Sequence, residues 1–142
     1  MDTQEALYTT RAMAQLKRDP IPLETQARIL DAAIRAPNIG EDWRFILVDD
    51  SQIKSRLAPI YAEGWERMFA GFGLDLADIL EADSPIGRIA RSGDHLARPF
   101  TDAPLLLLGF GHSANGSGIY PAMWSARLPA RAEGARAAVT GA

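Results

Sequence analysis

The chain reads as an α/β layer, and three stretches carry that expectation. Leu105–Gly111, LLLLGFG, has four consecutive leucines and no apolar/polar alternation, the pattern of a parallel strand covered on both faces. Trp43–Val48, WRFILV, forms a second apolar strand, and the clearest helical periodicity precedes it at Leu23–Arg35. Strands alternating with helices favour a layered arrangement over a helical bundle. After the leucine strand, the small-residue turn His112–Gly118 leads into a helix from about Ile119, and Pro121 is tolerated in that first turn because its missing N–H has no acceptor there. Ligands in such layers lie at the carboxyl ends of strands, so any chemistry is expected close to His112–Gly118.

At the N-terminus, Asp2 and Glu5 have the spacing of a capping arrangement for a short helix through Ala6, Leu7 and Tyr8, which Thr9 and Thr10 then weaken. Arg11–Lys17 follows, with Met13 and Leu16 as apolar anchors. Asp19-Pro20 breaks the chain, and Pro22 suits the start of the helix from Leu23, whose apolar face is read as Leu23, Ala27, Leu30 and Ile34 with Ile29 and Ala33 alongside. Pro37 bars its continuation, and Asn38–Asp42 forms a tight loop before the Trp43 strand.

Asp50 or Ser51 caps a third helix with Ile53, Leu57, Ile60 or Tyr61, Trp65, Met68 and Phe69 on its apolar faces, and Pro59 is expected to kink or divide it. The dense aromatics from Tyr61 to Phe72 read as a core or subunit-contact surface. Leu74, Ala77 and Leu80 suggest a short helix stopped by Pro85, and Gly93–Arg98 another turn or two ended by Pro99. Beyond Ile119, Pro129 interrupts a stretch of alternating Ala and Arg up to Arg136, and a third strand is expected to begin at Val139.

Composition narrows the function classes. With 142 residues, one domain over 1–142 is expected to bury a real core. The net charge of −3 and the scattered arginines argue against a nucleic-acid partner. Without cysteine there is no disulfide, no thiolate catalysis and no sulfur-based zinc site, and His95 and His112 lack metal-binding spacing, so no metal is expected. No basic leader precedes an apolar run and no segment approaches a membrane span, which points to a cytoplasmic protein without a membrane partner.

Three chemistries compete for the central turn. Gly109-Phe-Gly111 lacks the third glycine of a dinucleotide loop, since Ala114 stands there, and the glycines read better as a turn beside a packed layer. Gly111-His-Ser-Ala-Asn115 has the outline of a nucleophile elbow around Ser113, but no histidine follows His112 to serve as its base. An anion or flavin site is better supported: Arg11 offers a planar fork for phosphate, and His112–Gly118 offers small residues at a helix N-terminus.

Tyr8–Met13, Arg28–Pro37, Trp43-Arg-Phe45, Gly93–Ala97 and Gly118-Ile-Tyr-Pro121, taken in their order and spacing, resemble the FMN-dependent nitroreductase family over nearly the whole chain. The resemblance implies an α+β sandwich with a mainly antiparallel sheet surrounded by helices, lacking the family's usual C-terminal portion. It also implies an intertwined homodimer with two FMN sites at the interface. The implied reaction is ping-pong: NAD(P)H as electron donor reduces the flavin, which then reduces a small-molecule electron acceptor, a nitroaromatic, quinone or related compound.

The family's first phosphate-binding motif falls on Thr10, Arg11, Ala12 and Ala14, of which Arg11 keeps a strong donor and Thr10 a hydroxyl. Its flavin-reading loop falls on Pro37–Trp43, where Asn38 partly replaces missing amides. Its later Ser-Ile-x-Pro-Ala-x-x-Asn pattern falls on Gly118, Ile119, Pro121 and Ser125, and Pro129 lies in what should be a long dimer helix. Thr10, Arg11, Asn38, Gly118, Ile119 and Pro121 are therefore the implied cofactor-binding residues, with the redox chemistry on the flavin itself. A second reading, a catalytically inactive fold remnant serving as a dimeric interaction protein, follows from the replaced donors.

Overall fold

The computed structural model describes residues 2–11, 16–38, 40, 42–97, 100–112 and 118–140. It contains α1 (Thr3–Thr9), α2 (Leu23–Ile34), β1 (Arg44–Val48), α3 (Ser51–Gly71), α4 (Leu76–Glu81), α5 (Pro85–Ala97), a 3₁₀ turn (Phe100–Asp102), β2 (Leu106–Phe110) and α6 (Tyr120–Ala132). The chain divides into two compact units, Met1–Val48 with Pro104–Gly141, and Asp49–Ala103.

In the first unit, β1 and β2 pair antiparallel, from Arg44 opposite Phe110 to Val48 opposite Leu106. This corrects the parallel layer expected from the leucine run. Leu106–Gly109 are all half-buried, which erases the alternation of a one-sided strand without requiring a parallel neighbour. The fold is thus α+β, a small antiparallel sheet with helices, as the family resemblance implies.

The packing of α2 on α6 dominates this unit, and the buried cluster is Ile29 and Ala33 against Ala126 and Ala130, with Phe45 and Leu107 of the sheet beneath. Ala122, Ala126 and Ala130 repeat every four residues and form one buried stripe, so small side chains let the helices approach closely. The expected α2 face is rotated: Leu23 and Ile34 are 79% and 61% exposed, while Thr25, Gln26, Ile29 and Ala33 are buried. Ala36, Ile119 and Ala122 continue the core beside Trp43, Phe45 and Met123. Gly109 lets Met123 and Ile119 pack closely on the strand: a Cβ there would stand 2.7 Å from the Met123 sulfur and 3.1 Å from Ile119, so those side chains would have to shift.

Both termini of α6 have a local cause. Pro121 occupies its first turn, as expected. Pro129 does not stop it: the helix runs on to Ala132 and closes in a Schellman motif, with Ala135 N–H on the Ala130 carbonyl at 2.9 Å, Gly134 N–H on Arg131 at 3.0 Å, and Gly134 at φ +78°. Residues 135–140 have no regular structure, where a third strand was expected to begin. The turn residues 113–117, which include Ser113 of the elbow-like segment, lie outside the described residues, as do Ala12, Met13 and Ala14.

In the second unit, Asp50 caps α3 by accepting from Ile53 N–H at 2.8 Å, and the helix continues undivided through Pro59 for 21 residues. Tyr61 stacks on Phe100 with ring centroids 4.8 Å apart, and Trp65 meets Phe69 edge-on, so the aromatic run includes core contacts. Lys54 is buried and donates from Nζ to the Ala103 carbonyl at 2.8 Å. Pro85 starts a helix where it was expected to stop one. Ser84 accepts from Gly87 N–H at 3.0 Å, and the resulting 13-residue α5 absorbs the turn expected at Gly93–Arg98.

Candidate functional site

Helix α1 ends in two threonines, and that ending shapes a cavity. Asp2 caps the start by accepting from Glu5 N–H at 2.8 Å. At the other end the Thr9 and Thr10 hydroxyls donate back to the Glu5 and Ala6 carbonyls at 2.6 and 2.5 Å. Thr10 then turns extended and delivers Arg11, which is exposed. From the other side, α6 presents Arg127 and Arg131 one helical turn apart. The Gly134 reversal brings back Arg136 and Ala137.

Thr9, Thr10, Arg11, Arg127, Arg131, Arg136 and Ala137 together line a cavity of about 330 Å³. Arg131 Nε donates to Thr9 Oγ1 at 3.3 Å, a long bond that links α6 to the end of α1. Arg127 is the unusual member. Its Nε and Nη2 are buried without a hydrogen-bond partner among the described residues, and its guanidinium lies 5.2 Å from the Trp124 ring centroid. Burial lowers its pKa from the ordinary arginine value, although a guanidinium stays protonated in proteins. Buried donors left without a protein acceptor carry a desolvation cost.

Of the sequence-expected residues, Thr10 and Arg11 line this cavity. The Thr10 hydroxyl proton is engaged by Ala6, so this side chain frames the cavity and Arg11 is the donor of the pair. Asn38, Gly118, Ile119 and Pro121 are not among the lining residues. Asn38 is exposed after α2, Gly118 is half-buried in the turn before α6, and Pro121 is exposed in that helix's first turn. The Ile119 side chain is buried against Ala36 and Ala122, which leaves its backbone as what it can offer a ligand. From Ile119 to Arg127 is eight residues, about 12 Å of helix. The expected residues therefore fall into two groups toward opposite ends of α6.

Arg127, Arg131 and Arg136 were not singled out by sequence reasoning. The spacing of Arg127 and Arg131 is a legible signal once the helix is known to pass Pro129, but Arg136 reaches the cavity only through the turn at Gly134. Among the described residues, no three His, Asp or Glu side chains form a metal-binding group, and no helix is long and apolar enough to cross a membrane.

The fold and this cavity define an α+β protein with a recess lined by four arginines. The nitroreductase family model matches residues 8–139, across both units, and the chain belongs to the nitroreductase family. Solved structures agree on the fold. A BluB-like flavoprotein from Clostridium difficile 630 superposes with a TM-score of 0.65 at 17% identity, over 94% of this chain and 71% of that one. Oxidized iodotyrosine deiodinase bound to FMN and 3-iodo-L-tyrosine gives 0.66 at 19% identity, over 92% and 70%. The FMN-dependent nitroreductase NfnB from Mycobacterium smegmatis, in complex with NADPH, gives 0.62 at 20% identity, over 92% and 70%. A sequence search of curated proteins finds no match.

Proposed function

We propose that this chain is an FMN-dependent NAD(P)H oxidoreductase, acting as a cytoplasmic homodimer through one nitroreductase-like domain, 1–142, on nitroaromatic, quinone or related acceptors. The observation that carries the reading is the cavity at Thr10–Arg11. The family's phosphate motif falls there, and four arginines line the same recess. The residues present thus fit the phosphate end of FMN. When bound, FMN supplies ping-pong hydride transfer between NAD(P)H and the acceptor.

The chain's own residues bind and orient. Arg11 offers a planar fork to phosphate oxygens, and the bond from Arg131 to Thr9 holds the rim. Around Ile119, packing with Ala36, Ala122, Trp43, Phe45 and Met123 fixes the start of α6, so backbone at Gly118 and Ile119 and the side chains of Asn38 and Pro121 form the second group of contacts in this reading.

Equilibrium dialysis of the full chain against FMN, with absorbance in the oxidised-flavin bands and size measurement of the same sample, tests the proposal. Saturable FMN binding by a dimer supports it. A folded dimer that takes up no FMN at concentrations well above ordinary cofactor affinity rejects it and leaves the inactive interaction protein as the reading.

A further inference from the structure

The end of α6 carries one acid among its arginines. From Ile119 to Ala142, Glu133 is the single carboxylate side chain, between Arg131 and Arg136, both of which line the recess. Glu133 itself is not among the lining residues. Arg28, on the facing helix α2, donates from Nε to Glu133 Oε1 at 2.9 Å. The same guanidinium donates from Nη1 to Glu24 Oε1 at 2.7 Å and from Nη2 to Thr25 Oγ1 at 3.3 Å. Its planar fork is thereby fixed along α2 while Nε reaches across to α6.

The pair lies where α6 ends. Glu133 is the residue that closes the helix, and Gly134 at φ +78° then turns the chain toward Arg136. With side chains 43% and 37% exposed, an ion pair of this kind adds little to stability. Its effect is on position. A carboxylate competes with any anion for guanidinium groups, because it offers them two acceptor oxygens, and one tethered beside the site competes at high effective concentration.

Resting on the flavin reading above, we propose that Arg28 is a positioning residue for the recess: it holds the Glu133 carboxylate toward α2 and so keeps an internal competing anion off the arginines. Arg28 acts through Glu133 and not by touching the ligand. While the two are paired, the charge of Glu133 is already compensated, so removing it changes little at the recess. Once released, Glu133 brings an uncompensated negative charge to the arginines that flank it.

The test is a double-substitution cycle on the full chain, Arg28→Gln, Glu133→Gln and the two together, with FMN affinity read by equilibrium dialysis at about 0.15 M salt to screen distant charges. Arg28→Gln is expected to weaken FMN binding about threefold, the size of one exposed charge pair. Glu133→Gln alone and the double variant are both expected to stay within about 1.5-fold of the wild type. Because the double variant also lacks Arg28, its recovery separates competition from a folding defect.

Independent charge effects would instead make Glu133→Gln tighten binding as much as Arg28→Gln weakens it, and that result overturns the proposal. So does an Arg28→Gln variant that binds like the wild type, or a double variant as weak as Arg28→Gln. If the wild type takes up no FMN, the flavin reading fails and a crystal structure of Arg28→Gln decides the restraint: Glu133 turned onto Arg131 or Arg136 upholds it, and Glu133 on neither arginine overturns it.

Discussion

Replacing Gly87 by alanine tests the junction of α4 and α5 by setting helix propensity against a steric limit. Propensity alone favours the change by about 1 kcal/mol inside a helix. At Gly87, however, a Cβ would lie 2.1 Å from the Ala82 carbonyl oxygen and 3.0 Å from that of Ile79. Both are backbone atoms, so the clash is relieved only by moving one helix end by about 1 Å. That movement pulls on the Ser84 cap, worth about 1 kcal/mol, and on the bonds from Arg91 Nη1 to the Leu80 and Ala82 carbonyls at 2.7 and 2.9 Å. Adding an overpacking cost of about 1–3 kcal/mol gives a net loss of about 2 kcal/mol.

Gly64→Ala is the matched control. It makes the same chemical change in α3, at a position where a Cβ meets nothing within 4 Å, and it is expected to stabilise by up to about 1 kcal/mol. Urea unfolding followed by far-UV circular dichroism should therefore separate the two variants by about 1 M or more in midpoint, at slopes of about 1–3 kcal/mol/M. A midpoint for Gly87→Ala equal to or above that of Gly64→Ala would refute the α4–α5 packing.

Two further outcomes follow from the first unit. Ala33→Leu adds bulk at a fully buried position facing Ala126 and Ala130 and should lower stability by about 1–3 kcal/mol in the same urea assay, whereas an unchanged midpoint would mean that this helix seam is not close-packed. Asp42 is held below the usual carboxylate range by its hydrogen bond to Arg44, with the Arg44 and His112 charges adding to the effect. Its contribution to stability is complete above the ordinary aspartate value of about 3.9 and is lost as the pH falls through its lower folded value. An NMR titration should find the Asp42 carboxyl below the ordinary range, moving back toward it in 1 M salt, and an unshifted titration would remove the ion pair from the account.

Local signals were legible where a single side chain sets them. Asp2 and Asp50 as caps, Pro37 after α2, Pro121 at the start of α6 and the two apolar strands all follow from short-range chemistry, and all lie where expected. Proline was harder to read. Pro85 begins a helix because Ser84 supplies the cap, while Pro59 and Pro129 sit inside helices that continue past them. For the candidate site, Arg11 was visible from its motif, but the partners of Arg11 were hidden in an Ala/Arg stretch that looked interrupted.

Sequence by itself determined the family, the apolar strands and most helix starts, because these rest on residue order and local hydrogen bonding. Only the tertiary structure decided strand direction, which four leucines cannot encode, and the buried face of α2, which the alanine stripe of α6 selects over the larger Leu23 and Ile34. It also decided which cations share the cavity. Arg127, Arg131 and Arg136 stand more than a hundred residues from Arg11 in the chain and meet it through helix packing and one left-handed glycine.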